Sequence, residues 1–257
     1  MTPSTRGLYY PLNQQNKKGA TMQTFVAFPA SRKLHHNTDG FIARMKGGAS
    51  RTEASTMEAI MTDFTAEALH TFFVVPAQQV ALSSTLMKVV QATVSTIRAA
   101  ASLVVKRTAP KLDIQQNRDM ADYMDIMRIC VPNAQGEDVW YVSFPLKAAL
   151  KQMAAEGFAQ LEQGQIEAAR ATFTRFFMAL TDEALFWYFE QPLKLLHLGP
   201  ILSKLCKAST ETARKASQTV IQRVFGKLDA KQVPVIGDFI KTLLVECEPR
   251  LPEQTTN

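Results

Sequence analysis

Few residues in this chain are spaced for chemistry. Glu67 and His70 stand at i and i+3, the Glu-x-x-His spacing with which two side chains on one helical face can ligate a metal. A complete site of that kind needs a second such pair and two further carboxylates, and no second pair occurs. Asp119, Asp122 and Asp125 recur at every third residue after Asp113. On a helix they form an acidic stripe, which can hold Mg²⁺ or Ca²⁺ through oxygen or receive a basic segment or partner. No glycine-bearing calcium loop accompanies them, so a solvated face is the expected reading. His35 and His36 lie in a polar stretch, and His197 stands alone between leucines. Cys130, Cys206 and Cys247 form no Cys-x-x-Cys pair and read as small buried hydrophobes in a reducing compartment. Phosphate-loop, dinucleotide and G-x-S-x-G signatures are missing. The expectation is therefore no catalytic, cofactor-binding or metal-ligating set, with an enzyme of unrecognised type as the third choice.

Charge is informative where motifs are not. The formal net charge of +6 is unevenly spread: residues 1–51 carry net +7, residues 52–190 net −5 and residues 191–257 net +4. Basic ends around an acidic middle suit an anionic partner, or attraction between an end and the body. Near the C-terminus, Ile201, Leu202, Leu205, Ala213, Ala216 and Val220 share one helical face. Lys204, Lys207, Arg214 and Lys215 fall beside or opposite it. A basic amphipathic helix of this kind can lie on an anionic membrane, and these four residues are the candidate contact with an anionic partner. Nucleic acid is less favoured, because no aromatics are interleaved with the basic residues for stacking.

The elements that would position these groups are mostly helical. The spacing of apolar residues predicts helices from Ser55, with Ser55 and Glu58 as a capping box, and over residues 78–106, 115–127, 146–161, 165–180, 201–228 and 236–245. Pro76 is expected to end or restart a helix, and Thr181–Glu183 to cap one. Residues 126–144 change period and read as one β-hairpin inserted among helices. Residues 1–52 lack helical period, are rich in hydroxyl and basic residues, and read as a flexible basic arm. The helical domain is expected at residues 53–248 and a polar tail at 249–257.

Two apolar stretches raise the membrane question. Val89–Val105 is the best spanning candidate, but Gln91, Ser95, Thr96 and the central Arg98 point instead to a buried helix. Phe186–Phe189 followed by Leu193, Leu195, Leu196 and Leu198 reads as core packing, with a membrane-facing wedge as the alternative. No secretory signal is visible.

Gly157, Gly164, Ala169 and Phe173 are spaced as in a helix pair where small residues let two antiparallel helices touch and an aromatic locks the turn. This one pair resembles a tetratricopeptide repeat. It departs from that pattern at Phe176 and Thr181, and no second copy occurs, so an ordinary helical hairpin with the same packing logic is expected.

The sequence thus points to a mainly α, irregular multi-helix bundle with one hairpin. Its expected function is that of a non-catalytic interaction or scaffold protein meeting a macromolecular partner, most simply another protein. The alternative is a peripheral membrane protein using its basic C-terminal helix. The expected location is cytoplasmic, with membrane association as the variant. No cofactor is called for.

Overall fold

The computed structural model describes residues 22–133 and 135–248. The chain is mainly α, and the expected hairpin is present as β2 (Arg128–Pro132) and β3 (Asp138–Pro145). It does not stand alone. β1 (Gln23–Pro29) pairs antiparallel with β3, and β4 (Leu244–Cys247) pairs with β1, giving the strand order β2-β3-β1-β4. β1 is therefore central and buried on both faces. Val26 and Phe28 enter the main core, while Phe25 and Ala27 join Ile129 in a smaller cluster on the other side. A strand covered on both faces shows a short apolar run instead of alternation, and Phe25, Val26, Ala27 and Phe28 form such a run.

This corrects the expected domain boundary. Residues 23–52 are part of the folded body and not of an arm. Helix α1 (Arg32–Lys46) follows β1 at once, capped by the Ser31 hydroxyl, which accepts from the Leu34 N–H at 3.1 Å. It buries Leu34, Phe41, Ile42 and Met45 along one stripe. Several basic residues of this region find acids in the body. Arg44 grips Glu53 with two bonds of 2.7 Å, Lys33 reaches Asp63 at 2.9 Å, and Lys46 reaches Asp125 at 2.6 Å. Of the expected arm and tail, residues 1–21 and 249–257 lie outside the described residues.

The remaining helices are α2 (Ala54–Leu69), α3 (Val75–Gln79), α4 (Ser84–Thr108), α5 (Ile114–Ile126), α6 (Ala148–Glu162), α7 (Ile166–Leu185), α8 (Gln191–Leu195), α9 (Pro200–Phe225) and α10 (Gln232–Leu243). Pro76 restarts a helix, one of its two expected roles, and Pro192 does the same. Pro76 and Pro192 do not end their helices; each follows a π-helical segment, His70–Val74 and Phe186–Glu190, which carries the chain onward. Proline has no N–H and its ring crowds the carbonyl four residues back, so the turn before it widens instead of breaking. One of the carbonyls in the second segment, that of Trp187, accepts from the Tyr123 hydroxyl.

Other local expectations shift for similar physical reasons. The capping box forms at Asp113 and Gln116 of α5, and Ser55 lies inside α2. Thr181–Glu183 does not cap a helix, because the apolar face of α7 continues through Leu180 to Leu185. α4 starts at residue 84 because Ala81 adopts a positive φ of 49° and Ser83 supplies the cap. The last predicted helix stops at Leu243, where β1 offers backbone partners to β4.

α6 and α7 form the helical hairpin predicted around Gly164, whose φ of +72° makes the turn. Gly157 faces the fully buried Phe173 ring. α4 and α9 are the long walls of the bundle and pack on each other. Val90 shares a cavity wall with Val220 and Val224, whereas Val104 and Thr108 share one with Leu193 and Leu196 just ahead of α9. The two helices therefore run antiparallel. By length and composition α4 is the one helix among the described residues that could cross a membrane. Here it buries one stripe, Val90, Val94, Ile97, Ala101 and Val104, and exposes Lys88, Gln91, Ser95 and Arg98.

Candidate functional site

The antiparallel pair brings together charges that are far apart in sequence. At 100° per residue, Lys88 and Lys106 lie roughly 160° round from Val90, away from the buried stripe of α4. Lys204 lies equally far from the buried Cys206 on α9. Because the helices are antiparallel, the C-terminal end of α4 meets the start of α9. Lys106, Arg107 and Lys111 come from the first, Lys204 and Lys207 from the second, and all five side chains are exposed. None has a carboxylate partner among the described residues. Two large apolar side chains stand in the open at the same end: Leu103, 45% exposed, and Ile201, 83% exposed.

The four residues proposed from the sequence separate into two groups. Lys204 and Lys207 belong to this end. Arg214 is turned inward to three carboxylates, Asp182 at 3.0 Å, Glu190 at 2.8 Å and Glu211 at 2.8 Å. Burial alone would lower its pKa, but those hydrogen bonds raise it, so Arg214 is a fixed clamp between α7, the second π segment and α9. Lys215 leans toward Glu211 at 3.7 Å. Lys88, Lys106, Arg107 and Lys111 were not singled out from the sequence, and Arg98 only as a charge against a membrane span. Their signal is legible in retrospect, since no Asp or Glu lies between Glu67 and Asp113.

The other candidates have structural partners. The Glu67 carboxylate accepts from the Ser31 N–H at 2.9 Å and the Ser31 hydroxyl at 2.5 Å, reinforcing the start of α1, while His70 is exposed. Among the described residues, no three metal-ligating side chains converge. In the acidic stripe of α5, one residue, Asp125, receives basic groups. Asp125 takes Lys46 and also Arg128 at 2.8 Å, and Arg128, itself buried, lies with its guanidinium 4.9 Å from the centre of the Trp140 ring. Burial raises the Asp125 pKa, but the hydrogen bonds from Lys46 and Arg128 outweigh it and hold the carboxyl below its ordinary value. Burial and the neighbouring Asp119 and Asp125 push Asp122 the other way, against the lowering charge of Lys46.

A depressed carboxyl pKa stabilises the fold above the ordinary carboxylate pKa, and that contribution disappears as pH falls through the lowered value. Asp125→Asn is therefore expected to cost about 1 kcal/mol at pH 7, the net worth of a charge-assisted contact at a partly exposed site. That cost should shrink as the pH falls through the lowered value, where the carboxyl is protonated in both states. Urea midpoints across that range test this.

The run Phe186–Leu198 packs inward: Trp187, Tyr188, Pro192 and Leu196 are buried, and Phe186, Phe189 and Leu195 lie against the core. Of the cysteines, Cys206 is buried and Cys130 and Cys247 are half-buried. Burial raises the thiol pKa of Cys206 and Cys247, the direction away from a reactive thiolate.

The chain matches no known protein family, no curated protein and no solved structure.

One further feature is a partly open pocket among the helices. An apolar cavity of about 120 Å³ runs between α2, α4, α7, α9 and the two π segments, and no charged side chain lines it. Smaller cavities of about 70 and 50 Å³ adjoin it, and Tyr188 borders all three.

Proposed function

We propose that the protein is a non-catalytic docking protein that seats the α4–α9 end on an anionic membrane surface. One observation carries this reading. Leu103 and Ile201 stand exposed at the same end of the helix pair as Lys106, Arg107, Lys111, Lys204 and Lys207, and no described carboxylate neutralises those five cations. Exposed apolar side chains gain by entering the headgroup region, and each nearby cation adds about 1 kcal/mol at an anionic leaflet. The alternative of catalysis draws no support from the apolar cavity between the long helices, whose only ionisable lining group is Tyr188.

A second reading, contact with an acidic protein, is favoured by Lys88, Arg98, Arg223 and Lys227. These exposed cations lie along α4, on α9 and just past its C-terminal end, away from the apolar end. Each helix is about 25 residues, roughly 38 Å long, more than a local lipid contact requires.

Co-sedimentation separates the two. The protein is expected to pellet with vesicles of phosphatidylcholine and phosphatidylserine at about 0.1 M salt, and to be largely released at about 0.5 M, where screening shortens the range of the attraction. Vesicles of phosphatidylcholine alone should retain little. Equal behaviour on the two vesicle types, or no binding to either, removes the membrane reading and leaves the protein partner.

A further inference from the structure

The pocket between the helices has a definite shape as well as an apolar lining. Its walls keep one order from end to end. Phe177 of α7 faces Phe225 of α9, with ring centroids 5.0 Å apart. Val80 lines the same end, its carbonyl accepting from the Gln232 side chain just beyond α9 at 2.7 Å. At the other end Glu190, next to the lining residue Phe189, meets Arg214, next to the lining residue Ala213, at 2.8 Å. Tyr188 packs there on Phe64, with centroids 4.9 Å apart. The lining thus runs from residue 213 to 225 on α9 and from 177 to 189 on α7 and the second π segment, each about 18 Å of helix. A volume of about 120 Å³ drawn out over that length is a narrow passage, with the proportions of a chain and not of a ring.

The lining offers nothing to a polar ligand. Among the described residues no charged side chain borders it. Thr65, Thr181 and Ser217 donate to carbonyls of their own helices, at Met61, Phe177 and Ala213. Tyr188 presents its ring alone, because its hydroxyl oxygen is buried out of reach. A buried water needs two to four hydrogen bonds, and apolar cavities stay dry. A desolvated charge without a partner is prohibitive. The half-exposed lining residues are Phe72, Phe73, Thr181, Ala184 and Phe189, on the two π segments or in the turns of α7 just before the second. They mark the open side of the passage, where a polar head can stay in water while its tail lies inside. The length also fits. The hydrocarbon core of a bilayer is about 30 Å thick, so the acyl chains of one leaflet span about 15 Å of it.

We propose that this passage binds one unbranched acyl chain, tail inward, with the head group left outside on the π-helical side. The site does not depend on the membrane-docking end, and the two can fail separately. Such a chain is carried by a free fatty acid or by a lysophospholipid, and the test separates these sources.

Isothermal titration of the full chain with octanoate, decanoate and dodecanoate should show affinity rising about three- to fourfold per added CH₂ until the passage is full. Dodecanedioate, of the same length with a charge at each end, should not bind. Dodecanoate should bind no more weakly at about 0.5 M salt, which sets this site apart from capture by the exposed cations of α4 and α9. Ala184→Leu and Ser217→Leu, which fill the passage from its open side and from its interior, should each weaken dodecanoate by roughly tenfold or more. Ala184→Leu, at a half-exposed position, should also keep the native melting temperature, so that loss of binding is not loss of fold. Dodecanoyl-lysophosphatidylcholine binding as well as dodecanoate assigns the chain to lipids, and its failure to bind restricts the site to free fatty acids; both results uphold the acyl-chain site. No gain with chain length, equal binding of dodecanedioate, or full affinity in both variants overturns it.

Discussion

Gly157→Ala is expected to be the most destabilising small substitution in the molecule, costing about 3 kcal/mol or more. A Cβ at Gly157 would stand 2.3 Å from Cε1 and 2.7 Å from Cδ1 of Phe173, far inside contact distance. The ring has nowhere to retreat. It is fully buried, tilted against Phe158 at 5.7 Å, and its opposite edge lies within 3.4–3.5 Å of where a Cβ on Gly237 of α10 would sit. To admit one methyl group, α6 and α7 must move apart, and close-packed interiors do not yield locally. Urea denaturation measures the loss. Phe173→Leu alone should cost about 1–2 kcal/mol by leaving space, but combined with Gly157→Ala it should restore part of the loss. The double variant should then be more stable than the sum of the single effects requires, the sign of direct coupling. A Gly157→Ala protein melting within a degree of the native chain would show that the two helices are not in contact here.

Replacing Lys106, Arg107, Lys204 and Lys207 together by glutamine is expected to weaken partition onto anionic vesicles by on the order of a thousandfold. The figure follows from about 1 kcal/mol per basic residue at an anionic surface, multiplied over four and converted at 1.4 kcal/mol per decade. All four are exposed and free of described ion pairs, so stability should change little. Lys33→Gln, on α1 and paired with Asp63, is the control and should leave partition unchanged. Ile201→Ser should act through a different term, losing roughly tenfold or more from the apolar contact. That loss should persist at high salt, where the cation contribution is already screened. If the fourfold variant still pellets like the native protein, membrane docking does not run through this end.

Much of the helical class was legible along the chain, because period and breaker residues are local properties. The apolar stripes of α4, α5 and α9 recur at helical spacing, and the hairpin announces itself by its change of period near residue 126. Even the packing of α6 on α7 could be read from Gly157, Gly164 and Phe173, since a missing side chain opposite a large one has a single use between helices. The site was only half legible. Lys204 and Lys207 stood out on their own helix, while Arg214 looked equally available until three carboxylates from other turns and another helix closed on it.

What the sequence alone determined is which stretches coil, which face of each is greasy, and that cations outnumber acids at both ends. Tertiary structure decided the rest. Phe25–Phe28 became a central strand because β3 and β4 came to flank it, something no local pattern encodes. Leu103 and Ile201, about a hundred residues apart, share one end because α4 and α9 pack antiparallel, and Tyr188 is buried because Phe64 and Phe144 converged on its ring. The physical reason is common to all of these. Helix propensity and periodicity act within a few residues, whereas partners, burial and local dielectric are set by whichever segments the packed core brings alongside.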